Sequence, residues 1–469
     1  MPDEREENES GEPVQSGAEN TLTEQYQKAL ADKIIEVEGL LVEATPASLP
    51  LLADKIATLE KDLAAIKQVT PPPPRLMDLE AAVFTVKGHV ERNFGKFEAS
   101  EATYREAIEV LQRAGGDEES ISQRIANLWT CCGLSALSGT SRESWERAIE
   151  HFDRAISVRE NTPDPSPANL WGLSASWLNR GDALSRLGGE TNLDLSLEAA
   201  QKAESILRSF DPGENPPFRT RMALAWMNQG AAYIQLTSEY GRKHRDDTFN
   251  AYQTAIDILR PGADSGAEES KRVLAVTLTN LSRARLQLGG QSPEAGVAEA
   301  RKALALIRNH EIEDLELANL GITARIALCR SLELLKEATG EDLEITDIAE
   351  EGLSVALKVK ENVGRLFISE STLGELMRCG AEAYLKHSPH FLTDYLLEFL
   401  SDENENHLAD VGACHEAAVQ VLWQGIAELQ EKGFQDIGTE AFEKREALLI
   451  SWHQCREKLA GIRARYFEI

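Results

Sequence analysis

Apolar side chains recur along this chain at helical spacing. Leu30, Ile34, Val37 and Leu41 follow one another at steps of four, three and four. After the break TPASLP, Leu52, Ile56, Leu59, Leu63 and Ile66 continue at four, three, four and three. Such seams predict a coiled-coil-like helical hairpin over residues 21–69. A seam of this kind can close on its partner helix, on the next helical pair or on a second chain. The sequence leaves all three open, so a homo-oligomer through residues 21–69 is one expectation. The run TPPPPR, residues 70–75, must be extended, because consecutive prolines fix φ and remove backbone donors. From Leu76 onward helical patterns come in pairs. The junctions ENTPDPSPAN, DPGENPP and RPGADSGAEES carry Pro and Gly, which are expected to stop one helix before the next begins.

The pairs resemble one another. In the first, Phe84 stands four residues before Gly88, Gly95 and Phe97 mark a turn, and Ser100, Tyr104 and Ala107 follow on a second helix. Trp129 and Gly133, Trp177 and Gly181, Trp226 and Gly230, Leu278 and Ser282, and Leu320 and Ala324 repeat the opening. Each is followed by small residues on the second helix, such as Ala148 and Ala155 or Ala200 and Ala203. This pattern resembles the tetratricopeptide repeat, in which a small residue lets the two helices of a unit meet and a second one admits the next unit. The resemblance implies an all-α fold, a right-handed α-solenoid, with six repeats over residues 76–360. The small residues recur about every 48 positions, longer than the family's period of about 34. The excess is expected in the turns, above all LTSEYGRKHRDD and KEATGEDLEITD. Gly380 and Gly425 mark weaker candidates, so residues 361–469 are read as divergent repeats closed by a capping helix.

Composition then narrows the function. The 49 basic and 78 acidic residues give a net charge of −29, which disfavours a nucleic-acid surface and an anionic membrane surface. The first twenty residues hold seven acids and one base with no apolar run, and residues 1–20 are read as a disordered acidic tail rather than a secretory leader. No window reaches the roughly 18 consecutive apolar residues of a membrane span. The six cysteines form no CxxC pair and read as reduced core thiols, which points to the cytoplasm.

The resemblance also implies where a partner would lie. In this family the first helix of each repeat lines a concave groove. The sixth place of three successive repeats holds Asn179, Asn228 and Asn280, and nearby groove places hold Arg92, Arg186, Arg283 and Arg325, with His89 and Asp182. An amide ladder can hydrogen-bond the backbone of an extended peptide whatever its sequence, and the arginines would favour acidic segments. The bland alternatives are amides tying adjacent helices and arginines in local i,i+4 pairs. Trp129, Trp177 and Trp226 read as core. His387, His390, Cys414 and His415 lack the geometry and acid that a zinc site needs, and GRKHRDD reads as a solvated loop. No GxSxG, GxxxxGK[ST], HExxH or GxGxxG after a strand is present, so neither catalysis nor a cofactor is expected. The reading is a non-enzymatic adaptor that binds an extended or helical partner segment. The alternatives are a regulatory sensor whose hairpin switches oligomeric state on binding a small ligand or signal peptide, and an adaptor autoinhibited by its own acidic tail.

Overall fold

The computed structural model describes residues 15–42, 48–68, 75–114, 118–163, 165–210, 216–289, 293–308, 310–312, 314–339, 344–363 and 376. The acidic residues 1–14, most of the proline linker, the divergent repeats and capping helix expected over 361–469 and the His387 to His415 cluster lie outside these, apart from the end of the last helix and Leu376. The chain divides into two compact units, Met1–Phe210 and Asp211–Ile469, with the boundary at the junction DPGENPP.

The first unit holds α1 (Gln15–Val42), α2 (Leu49–Ile66), α3 (Leu76–Asn93), α4 (Phe97–Ala114), α5 (Glu118–Leu137), α6 (Arg142–Glu160), α7 (Pro167–Leu187) and α8 (Glu190–Arg208). The second holds α9 (Pro216–Tyr240), α10 (Arg245–Asp264), α11 (Glu268–Leu288), α12 (Pro293–Ile307), α13 (Leu315–Thr339) and α14 (Ile345–Val363). Each unit is an α-solenoid of tetratricopeptide-like helix pairs, in which every helix packs on the one before it and the one after it. Helix α1 starts at Gln15, within the stretch read as the tail.

Local chemistry sets the boundaries. The Ser141 and Ser166 hydroxyls accept from the backbone N–H of Ser144 (3.1 Å) and Asn169 (3.3 Å) and so cap α6 and α7. Prolines open α7, α9 and α12, where no backbone donor is required. Gly95, Gly188, Gly241 and Gly289, all at positive φ, follow the ends of α3, α7, α9 and α11 and turn the chain into the partner helix.

Two expectations about the junctions need correction. The extra residues of the fourth and sixth repeats lengthen helices rather than turns: α9 and α13 run 25 residues each, against 18 for α3. Leu236, which opens the first of those segments, is buried, so packing rather than propensity keeps that stretch helical. Pro261 likewise does not end a helix, since α10 passes through it and the chain turns only at Gly266, φ 91°.

The hairpin is the largest change to the expected picture. Leu30, Ile34, Val37, Leu52, Ile56, Leu59, Leu63 and Ile66 form one core with Val83, Val86 and Val90 of α3. Helix α1 touches α3 as well as α2, so the hairpin stacks as the helical pair preceding the first repeat. Most of its seam is therefore buried within the first unit, with Leu41 partly covered.

Within each pair the small residues act as the pattern demands. A Cβ on Gly88 would lie 2.5 Å from the Tyr104 ring, and one on Gly133 would collide with Phe152. Ser100 donates to the Gly88 carbonyl (2.8 Å) and Ser196 to that of Gly181 (2.8 Å). In the fifth repeat the two residue types trade helices, and Ser282 donates to the Gly296 carbonyl (2.9 Å). The substitution Gly133→Ala is expected to destabilise the first unit by about 2 kcal/mol despite its better helix propensity, because the fully buried Phe152 cannot yield. Urea unfolding followed by circular dichroism checks this, and an unchanged midpoint would contradict it. Among the described residues no helix is long and apolar enough to cross a membrane.

Candidate binding faces

The first helices of successive pairs crowd together: α1 with α3 and α5 with α7 in the first unit, α9 with α11 and α11 with α13 in the second. No two successive second helices come as close among the described residues. They are bridged instead by long side chains, as where His151 Nε2 of α6 meets Glu101 Oε1 of α4 at 2.9 Å. In each unit the first-helix side is therefore the inner one.

Asn228 on α9 and Asn280 on α11 occupy equivalent places on adjacent helices of the second unit, and Asn179 holds the same place on α7 of the first. All three are half-buried, and none makes a side-chain hydrogen bond to a described residue. They do not tie neighbouring helices together. Their donors and acceptors remain available at the surface.

The arginines divide. Arg92 is half-buried and Arg283 exposed, and neither forms an ion pair with a described residue. Arg186 pairs with Asp182 one turn away (3.3 Å), which is the local i,i+4 alternative. Arg325 is not a groove residue. It is 1% exposed and donates from Nη1 and Nη2 to the two carboxylate oxygens of Glu311 (2.7 and 3.0 Å), with Glu351 3.2 Å from Nη2. Its place in the repeat is right, but the loop before α13 brings Glu311 over it and Gly321 leaves room for that carboxylate. His89 adds no charge either: burial, with the Arg92 guanidinium nearby, lowers it to about 4, and its neutral ring shares a 2.7 Å hydrogen bond with the Tyr104 hydroxyl. The basic character expected of the groove thus reduces to Arg92 in one unit and Arg283 in the other.

The tryptophans are packing residues. Trp129 and Trp226 lie against the cores of their units, and Trp177 is buried. Trp129 stacks on His151 (5.4 Å between ring centres), with the Arg154 guanidinium 4.6 Å from its ring. Cys132 is buried and its thiol is pushed well above the usual range by burial, while Cys131 is half-buried. In GRKHRDD, His244 pairs with Asp247 (2.9 Å) and Arg245 donates to the Gly289 carbonyl (2.5 Å), so the loop ties two turns together. Asn127 and Arg159 stood out by no sequence signal. Their significance comes from contacts between residues 32 positions apart.

Among solved structures, the chain is similar to a Rap protein complexed with competence and sporulation factor, at 13% identity and a TM-score of 0.40 over 93% of this chain and 100% of that one. It is also similar to the apo form of the quorum sensor NprR from B. thuringiensis, at 13% identity and a TM-score of 0.46 over 91% and 99% of the two chains. A third similar structure is the TPR2AB domain of yeast Sti1 in its pHSP90 complex, at 17% identity and a TM-score of 0.21 over 65% and 98%. No protein-family model matches the chain, and no curated protein matches it.

Proposed function

We propose that this protein is a non-enzymatic cytoplasmic adaptor whose first-helix faces hold an extended or helical segment of a partner protein. The observation that carries the reading is the pair Asn228 and Asn280, equivalent in place, on helices in contact, with amides left unbonded at a half-buried surface. A half-buried amide without a partner loses part of its hydration for no return, and a peptide backbone passing over both would supply the missing donors and acceptors. Asn179 offers the same chemistry on the first unit, and Arg92 and Arg283 supply unpaired cations for acidic side chains.

The test begins with peptides selected against the full-length protein from a displayed random library. The double substitution Asn228→Ala and Asn280→Ala is expected to weaken their binding about 10- to 100-fold, as the loss of two or three net hydrogen bonds implies. Equal affinity in a variant of unchanged helicity would overturn the reading.

A further inference from the structure

Several partly or fully buried arginines in this protein are answered by carboxylates. Arg325 faces Glu311 and Glu351, Arg285 donates to both oxygens of Glu299 (2.8 and 2.7 Å), and Arg180 donates to Asp153 (2.6 Å). Arg159 is the one other arginine that is buried among the described residues. It is 4% exposed, yet no carboxylate of a described residue lies within ion-pair distance of it.

Its one side-chain hydrogen bond runs from Nη2 to Asn127 Oδ1 (2.6 Å), its Nε is enclosed and unbonded, and its Nη1 bonds to no described residue. The guanidinium lies against Gly172 of α7, where any side chain would collide with it. An arginine cannot shed its proton to escape this position, and an unanswered buried charge is among the costliest features a fold can carry. The position in the last turn of α6 offsets only part of that cost, through the partial negative charge of the helix end. Burial disfavours the charged form, and no acidic neighbour counters it.

The surroundings indicate what would answer the charge. Asn127, which holds Nη2, is itself exposed and sits on α5 two residues before Trp129, a groove place of the repeat. The guanidinium edge therefore lies just beneath the inner face. Asn169, one turn before Gly172 on α7, is buried. It donates to the Arg159 carbonyl (3.2 Å), and its Oδ1 is enclosed without a donor. Of the unbonded atoms here, Nε and Asn169 Oδ1 are enclosed, and Nη1 is the one that offers N–H groups to an anion. A chain terminus carries both a carboxylate and an amide N–H, whereas an acidic side chain carries the carboxylate alone.

We propose that Arg159, framed by Asn127 and Gly172, is a carboxylate subsite for a partner segment lying along α5 and α7 of the first unit. It rests on the reading of the first-helix faces as peptide-binding. The experiment is thermal unfolding of the full-length protein with N-acetylglycine, propionate or N-acetylglycinamide at about 100 mM, against sodium chloride of equal ionic strength. The carboxylates are expected to raise Tm by about 2–4 °C, and the neutral amide to leave it unmoved. A larger shift with N-acetylglycine supports a chain terminus as the source. Equal shifts with both acids support an acidic side chain. Arg159→Met is expected to abolish the response without lowering Tm, because the unanswered charge goes with the side chain. Should that variant not fold, Arg159→Lys, which keeps the charge and loses the fork, is expected to show a third of the response or less. No carboxylate-specific shift in the wild-type protein, or an undiminished one in the foldable variant, overturns the proposal. Because Asn228 and Asn280 lie in the other unit, failure here leaves their peptide-binding test untouched.

Discussion

Replacing Glu311 by Gln is expected to destabilise the second unit by about 3 kcal/mol. Arg325 and Glu311 are 1% and 2% exposed, and their paired oxygens and nitrogens satisfy each other where water does not reach. Removing the carboxylate leaves the guanidinium buried and half-answered, since Glu351, the remaining acid, is partly exposed and also held by Arg308 (2.6 Å). Breaking a buried pair in this way costs about 3–5 kcal/mol, and the residual contact to Glu351 places the loss at the lower end. Converting both partners to apolar residues, Glu311→Leu with Arg325→Met, is expected to recover at least half of it, because no charge is then stranded. Urea unfolding of the full chain measures both variants. A Glu311→Gln protein as stable as the wild type would show that water reaches the pair.

Starting the chain at Leu76 is expected to have a larger effect still. Val83, Val86 and Val90 of α3 are buried by the hairpin, and exposing three valines costs about 5 kcal/mol at roughly 1.5–2 kcal/mol each. The ion pairs between the hairpin and α3, Lys67 with Glu80 (2.5 Å) and Lys87 with Glu60 (2.7 Å), are partly solvated and add little. The shortened protein is expected to melt well below the full chain and to self-associate through the bared valines, whereas the full chain gives the monomer mass in light scattering. The sensor reading, with the hairpin as a dimerisation switch, predicts the reverse: loss of association on removing residues 1–75. Equal melting temperatures would mean that the hairpin does not cover α3 in solution.

Much of the repeat architecture was legible because it rests on local periodicity and on volume. Gly88 and Tyr104, Gly133 and Phe152, and Gly230 and Tyr252 are complementary pairs that each lie one helix-turn-helix step apart, so each leaves a mark in the sequence. The same holds for Asn179, Asn228 and Asn280, whose equivalence is a matter of register alone. Turn lengths were less legible, since nothing local in LTSEYGR decides between helix and loop until Leu236 finds a place to pack.

The sequence by itself therefore determined the helix pairs, the small-residue contacts within them and the row of equivalent amides, because these follow from spacing along one or two helices. Only the tertiary structure decided which charges are free. Arg325 and Arg283 occupy similar places in neighbouring repeats, yet one is buried under Glu311 and the other faces solvent. Arg159 looked like any surface arginine until Gly172 and Asn127 enclosed it. Charge compensation depends on distances of a few ångströms between residues far apart in the chain, and no pattern within a single helix records them.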